Sequence, residues 1–360
     1  GSAALEARSG ACRPWAPEGV DRAESGGAAP AARLAYLDNA RFLVNVLTIW
    51  GHLANQSLGF EHGPASGHDR AVRIHMPLAA MLSGAASAES LARPGFLRKT
   101  VVAYAIPGLI HYYMWWSWFL WALVAWRLGA WLCRRLPVGL QAGLALLLGA
   151  LVAQSEDQQS SLGQAGFLGP YFLLGLQLDW GHLARAAPRR ALPGWLAFLG
   201  LTALGVVFEP AFGRVHTLWE PYRPVWASMR GLLAPECPAD ALLLWARYGL
   251  QLLVRGGLSV LFFLGCVPKG PVWFTEYGAH SMYPYLLHMY AAFWLVLPAW
   301  REHVWGKGLA LWAWPTAGEP PLALRLKGCL LLLAWLLLAL ALTCCLSSRP
   351  CRALCCWLVQ

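Results

Sequence analysis

The sequence predicts an all-α, polytopic membrane protein with about ten transmembrane helices around a central cavity. Three observations predict it. The 360 residues are 58% hydrophobic and 13% charged, with 21 Trp and mean hydropathy +0.46; soluble domains carry about a quarter charged residues. Apolar stretches recur near 40–60, 72–88, 98–112, 114–133, 138–154, 164–179, 191–209, 241–266, 279–299 and 325–346. The first stretch, moreover, carries its polar residues at helical spacing.

Residues 1–33 are rich in Ala, Gly, Pro and Arg and read as a disordered tail without a signal-peptide-like apolar run. The chain does not begin with Met, which leaves its true start open. A membrane domain follows over 34–346, and a Cys-rich cytoplasmic tail over 347–360.

In the first stretch Arg41, Asn45, Thr48 and His52 fall at offsets of four, three and four. Eleven residues make about three turns plus roughly 20°, so Arg41 and His52 share one helix face. Asp38 and Asn55 extend the stripe at its two ends. At ~1.5 Å rise per residue His52 sits about 16 Å beyond Arg41. That is near the middle of a hydrocarbon core roughly 30 Å thick. Ionisable groups at such depth face a bundle interior or a wet cavity, and mark function.

The second, third and sixth stretches are shorter than the ~20 residues of a simple span. The region 98–133 is too long for one helix; Pro107-Gly108 and His111-Tyr112-Tyr113 divide it. Charge sets the parity. With ten spans, one side holds Arg93, Arg98 and Lys99, then Arg127, Arg134 and Arg135, then Arg185, Arg189, Arg190 and Lys269, and the Arg349/Arg352 tail. The other side holds Arg70 and Arg73, then only Glu156 and Asp157 in its short loops. Positive-inside orientation therefore places both termini in the cytoplasm and leaves the host membrane open. Two longer outer segments, 210–240 and 300–324, carry Trp219, Glu220, Tyr222, Arg223, Trp226, Trp305 and Trp312. These fit carbohydrate contact or ordinary interfacial anchoring.

In the eighth stretch Arg247, Gln251 and Arg255 lie at i, i+4 and i+8, with Arg255 about as deep as His52. In the ninth, Ser281, Tyr285 and His288 form another one-face stripe. Five of the ten cysteines crowd the end as Cys344, Cys345, Cys351, Cys355 and Cys356, which fits either juxtamembrane S-acylation or incidental thiols. The net charge of +10 is dispersed among short loops, which excludes a nucleic-acid tract. No metal-ligand spacing, nucleotide-binding Gly loop, nucleophile elbow or internal repeat stands out.

Tyr36-Leu37-Asp38-Asn39-Ala40-Arg41-Phe42 followed by Gly51-His52 resembles the N-terminal signature of the acyltransferase-3 family of integral membrane O-acyltransferases, which includes the fucose 4-O-acetylase-like group. His75-Met76-Pro77-Leu78 with Leu82-Ser83-Gly84 is similar to its second-span block. Phe96-Leu97-Arg98-Lys99 with Ile106-Pro107 resembles the third, and Trp118-Phe119-Leu120 the fourth. Tyr171-Phe172-Leu173-Leu174-Gly175 resembles the mid-chain block. Gly278-Ala279-His280-Ser281 with Tyr285-Leu286-Leu287-His288 resembles the late one. Ala103 stands where the family usually has a further Arg, and Gly108 where it usually has an aromatic.

The resemblance implies transfer of an acyl group, foremost acetyl, from acyl-CoA as co-substrate to a hydroxyl of a sugar or glycoconjugate, with no bound cofactor. His52 would be the general base, since its imidazole suits removal of the hydroxyl proton; a hydrogen-bonded packing His is the other reading. Arg41 would hold donor phosphates or carbonyls, or pair with Asp38. Asp38 suits an N-cap equally well. Arg98 and Lys99 would contact the donor or orient the span. Asn45, Arg255, Ser281 and His288 complete the candidate donor- or substrate-binding set, Arg255 facing the His52 cavity. The competing class is a transporter or channel using the same stripes as a proton or solute pathway. Against it, the stretches hold His and Arg with almost no Asp or Glu.

Overall fold

A computed structural model describes residues 29–58, 74–88, 90–91, 93–110, 118–152, 161–186, 191–207, 238–292 and 322–359. Among these residues the chain is helical throughout, with no strand. The helices are α1 (Ala29–Leu58), α2 (His75–Ala88), α3 (Phe96–Thr100), a π-helical turn (Val101–Ala105), α4 (Ile106–Ile110), α5 (Trp118–Cys133), α6 (Val138–Val152) and α7 (Ser161–Gln177). Then follow α8 (Trp180–Ala186), α9 (Leu192–Val207), α10 (Pro238–Cys266), α11 (Thr275–Ala279), α12 (Met282–Tyr290), α13 (Leu322–Ser347) and α14 (Arg349–Val359).

One boundary differs from the sequence expectation. Helix α1 begins at Ala29, inside the stretch read as tail, because Ala31, Ala32, Arg33 and Leu34 are good helix formers leading into the apolar run. The Cys-rich end is the helix α14. The outer aromatics Trp219, Tyr222, Trp226, Trp305 and Trp312, with His111, Tyr112, Tyr113, Arg70, Arg73, Glu156, Asp157, Arg189 and Arg190, lie outside the described residues.

Among the described residues, Tyr248–Cys266 of α10 and Cys329–Ser347 of α13 are long and apolar enough to cross a membrane. Trp118–Cys133 and Val138–Gly149 are apolar but shorter. The outward faces of the long pair are themselves apolar: Leu253 is 74% exposed, Leu261 64%, Leu330 68% and Leu337 60%. Water penalises such surface and a bilayer accepts it.

Helix α1 lies at the centre of the core. Its Tyr36, Phe42, Leu47, Ile49, Trp50 and Leu53 are buried almost completely. Trp50 donates from Nε1 to the Leu332 carbonyl of α13 at 2.8 Å, and Tyr36 from its hydroxyl to the Phe263 carbonyl of α10 at 3.1 Å. Polar rim atoms of these aromatic side chains thus find backbone acceptors inside an apolar core.

Small residues allow backbones to touch. A Cβ on Gly84 of α2 would collide with the Phe172 carbonyl of α7, and one on Gly175 of α7 with the Met81 carbonyl of α2. A Cβ on Gly278 of α11 would collide with the Asp38 carbonyl of α1. Small residues at helix crossings permit this packing, which is common where lipid removes the hydrophobic force between helices. The approaches join the second block of the sequence with the mid-chain block, and the first with the late one.

Candidate functional site: a polar seam between α1 and the α11–α12 segment

Helix α1 and the α11–α12 segment run parallel and in register. Thr275 donates from Oγ1 to Asn39 Oδ1 at 2.6 Å, Asn45 donates from Nδ2 to the Ser281 carbonyl at 2.9 Å, and His52 stacks on His288. Each pair is separated by 236 positions in the chain. Because partner numbers rise together, the helices share a direction. The polar stripe of α1 is therefore one half of a seam, and the residues near 275–288 are the other half.

At the Arg41 end, the Arg41 guanidinium donates to Asp38 Oδ1 at 2.7 Å. Burial raises the Asp38 carboxyl above the ordinary carboxylate range, and Arg41 works against that rise through its charge and hydrogen bond. Asp38 is thus Arg41's partner rather than a free acid. Asn39, which the sequence reading passed over, fixes the segment after α10. Its Nδ2 donates to the carbonyls of Pro268 at 2.9 Å and Gly270 at 2.8 Å. Thr48 donates back to the Val44 carbonyl at 2.8 Å, which satisfies its hydroxyl within the helix.

At the far end the rings of His52 and His288 lie 5.3 Å apart, inclined by 30°. His288 is 3% exposed. Its Nδ1 lies 2.9 Å from the Pro284 carbonyl and 2.7 Å from the Tyr285 carbonyl. Two carbonyl oxygens can only accept, so in the neutral ring Nδ1 carries the proton and Nε2 the lone pair. That Nε2 is buried and has no hydrogen-bond partner among the described residues. Buried acceptors are ordinarily paired, so one left open inside a polar seam invites a donor. Ser281 enters the seam through its backbone carbonyl.

The other predicted residues, Arg255, Arg98 and Lys99, belong to other helices. Arg255 of α10 is 4% exposed and holds its guanidinium 5.3 Å over the Phe167 ring of α7. One turn on, Ser259 donates to the carbonyls of Ile74 and Arg255. Its known contacts thus tie α10 to α7 and the start of α2. Arg98 and Lys99 are exposed on α3. Among the described residues, no three His, Cys, Asp or Glu side chains gather into a metal-binding cluster.

Sequence reasoning missed the role of Arg127, which it assigned to span orientation. Arg127 is 6% exposed within α5. It donates from Nε to Thr100 Oγ1 at 3.1 Å, from Nη1 to Ser87 Oγ at 2.6 Å and from Nη2 to Ser90 Oγ at 3.0 Å. The Phe96 and Tyr104 rings lie 4.8 Å and 5.2 Å from its guanidinium carbon. One side chain therefore joins α2, α3, the π-helical turn and α5. The only signal in the sequence was that Arg127 stands six residues before the end of an apolar run, too deep for a loop anchor.

The chain matches no protein-family model, no curated protein and no solved structure.

Proposed function

We propose that the chain is an integral membrane O-acyltransferase, multi-pass with about ten spans and both termini cytoplasmic. It moves an acyl group, foremost acetyl, from acyl-CoA to a hydroxyl of a sugar or glycoconjugate. The carrying observation is the His52–His288 stack at one end of a buried polar seam whose other end holds the Arg41–Asp38 pair. The outward leucines of α10 and α13 favour the membrane setting. The order of the family-like blocks favours the chemistry.

The reaction needs one proton moved twice. His52 removes the acceptor hydroxyl proton while the oxygen attacks the thioester carbonyl carbon. The tetrahedral intermediate then collapses, the C–S bond breaks, and the His52 imidazolium returns the proton to the departing thiolate. His288, with its Nδ1–H fixed on backbone carbonyls, offers Nε2 as an acceptor that orients the incoming hydroxyl. Arg41, steadied by Asp38, presents its remaining N–H groups to donor oxygens at the cytoplasmic mouth.

The test is mass spectrometry of membranes carrying wild-type or His52→Ala protein, supplied with isotope-labelled acetyl-CoA and a glycan mixture. Labelled acetyl on a glycan with wild type and its loss with His52→Ala is the expected result. Acetylation surviving His52→Ala refutes the base assignment. No acetylation by wild type, with ion or solute flux in vesicles, replaces the enzyme by a transporter.

A further inference from the structure

The C-terminal cysteines play no part in the proposed acyl transfer, yet the fold arranges them. Cys345 is exposed, two residues before the end of α13, the longest apolar helix near the C-terminus. The chain bends at Ser348 and continues as α14. Arg349 and Arg352 each approach the Glu276 carboxylate of α11 to 3.6 Å, so α14 is tied beneath the segment that carries His288. Cys351, Leu354 and Cys355 fall at i, i+3 and i+4, on a face turned away from Arg349 and Arg352. Leu354 is 75% exposed, as on a helix lying along a bilayer interface.

The thiols are not equivalent. Burial and the neighbouring Cys355 push the Cys351 thiol up to about 11, which suppresses its nucleophilic thiolate. Cys345 is exposed, and its position near the end of an apolar helix would let an attached chain run back along that helix.

We propose that Cys345 is an S-acylation site whose fatty chain enters the inner leaflet beside α13 and fixes α14 to the membrane surface. The inference rests on the cytoplasmic orientation of the tail proposed above. In the reaction the Cys345 thiol loses its proton and its sulfur attacks the carbonyl carbon of a long-chain acyl-CoA. The bond from that carbon to the coenzyme sulfur breaks, and the coenzyme thiol takes the proton. A membrane protein S-acyltransferase supplies the catalysis. The added chain joins the apolar face of α14 as a second membrane signal.

The full-length chain in cell membranes is assayed by hydroxylamine-dependent exchange of thioesters for a polyethylene-glycol mass tag. Wild type gains a tag, Cys345→Ser loses it, and Cys351→Ser keeps it. Serine at an exposed position leaves folding intact, and Cys351→Ser reports any indirect loss from disturbing the tail. An untagged wild type, or a Cys345→Ser protein tagged like wild type, overturns the proposal. An impermeant maleimide added to intact cells separates the two readings. Tail thiols protected from it while wild type stays untagged overturn S-acylation alone; tail thiols labelled from outside overturn the orientation and the proposal together.

Discussion

The imidazoles of His52 and His288 lie ring over ring, with centroids 5.3 Å apart and planes inclined by 30°. Two imidazolium charges at that separation would repel each other. The tautomer of His288 is fixed by the backbone. On the proposed reading the two rings divide the labour: His288 Nε2 accepts a hydrogen bond from the incoming hydroxyl, and His52 takes and returns the proton.

His288→Asn tests that division. The Asn amide nitrogen falls near the place of Nδ1 and keeps a donor for the Pro284 and Tyr285 carbonyls, but nothing replaces Nε2. Transfer should fall by about ten- to a hundredfold with little change in melting temperature, against a loss of about 10²–10⁴-fold for His52→Ala. Labelled acetyl transfer and thermal melting in detergent check both.

Arg127 should resist conservative replacement. Lysine brings the same buried charge but cannot reach Ser87, Ser90 and Thr100 together. Methionine removes the charge, and Ser87 and Ser90 still donate to the Ser83 and Ser87 carbonyls. Arg127→Lys should therefore cost about 2–4 kcal/mol, and more than Arg127→Met. Melting curves of the two variants decide; the reverse order would refute the account.

Asn39→Asp sets a carboxylate against the Pro268 and Gly270 carbonyls in place of an amide donor. The loss should be about 2–4 kcal/mol. Asn39→Ser, which keeps a donor and adds no charge, should cost less. Hydrogen exchange over residues 268–279 should rise in the first variant more than in the second.

Gly278→Ala drives a methyl group into the Asp38 carbonyl. Gly257→Ala in α10 meets nothing within 4 Å. Folded yield by fluorescence-detected size exclusion should drop for the first, while the second is neutral or stabilised by up to about 1 kcal/mol. An unaffected Gly278→Ala protein would mean that α1 and α11 can separate without cost.

Asp179 caps α8: its Oδ1 accepts from the His182 backbone N–H at 2.9 Å. That bond holds the carboxyl below its ordinary range. The folded value lies under the unfolded one, so the cap's contribution is present above the unfolded value and lost as pH falls through the folded one. Amide exchange in residues 180–186 should be insensitive to Asp179→Asn near neutrality and accelerate for wild type only below about pH 4.

The α1 stripe was legible because 3.6-residue periodicity projects directly onto a helix face: Arg41, Asn45, Thr48 and His52 are on one helix as read. The late stripe was legible in part, since α12 starts at Met282 and Ser281 contributes a carbonyl instead of its hydroxyl. What periodicity cannot show is which helix answers which. Asn39 lies off the stripe and escaped notice, although its partners stand 229 to 236 positions away. Arg127 escaped because its hydroxyl partners come from two other elements and are chemically ordinary one at a time. Arg255 was read as deep on its helix; it is 4% exposed, with its guanidinium over the Phe167 ring.

On the proposed ten-span reading, the constant offset along the seam also constrains topology without any appeal to charge. Helices that rise side by side in the same sense enter a bilayer from the same face, and a continuous chain achieves that only when an odd number of crossings separates them. The stretches between 40–60 and 279–299 are 72–88, 98–112, 114–133, 138–154, 164–179, 191–209 and 241–266, seven in all. Fusing 98–112 with 114–133 into one crossing would leave six and turn one partner upside down. Thr275 could then no longer reach Asn39 in the same arrangement that sets His288 against His52.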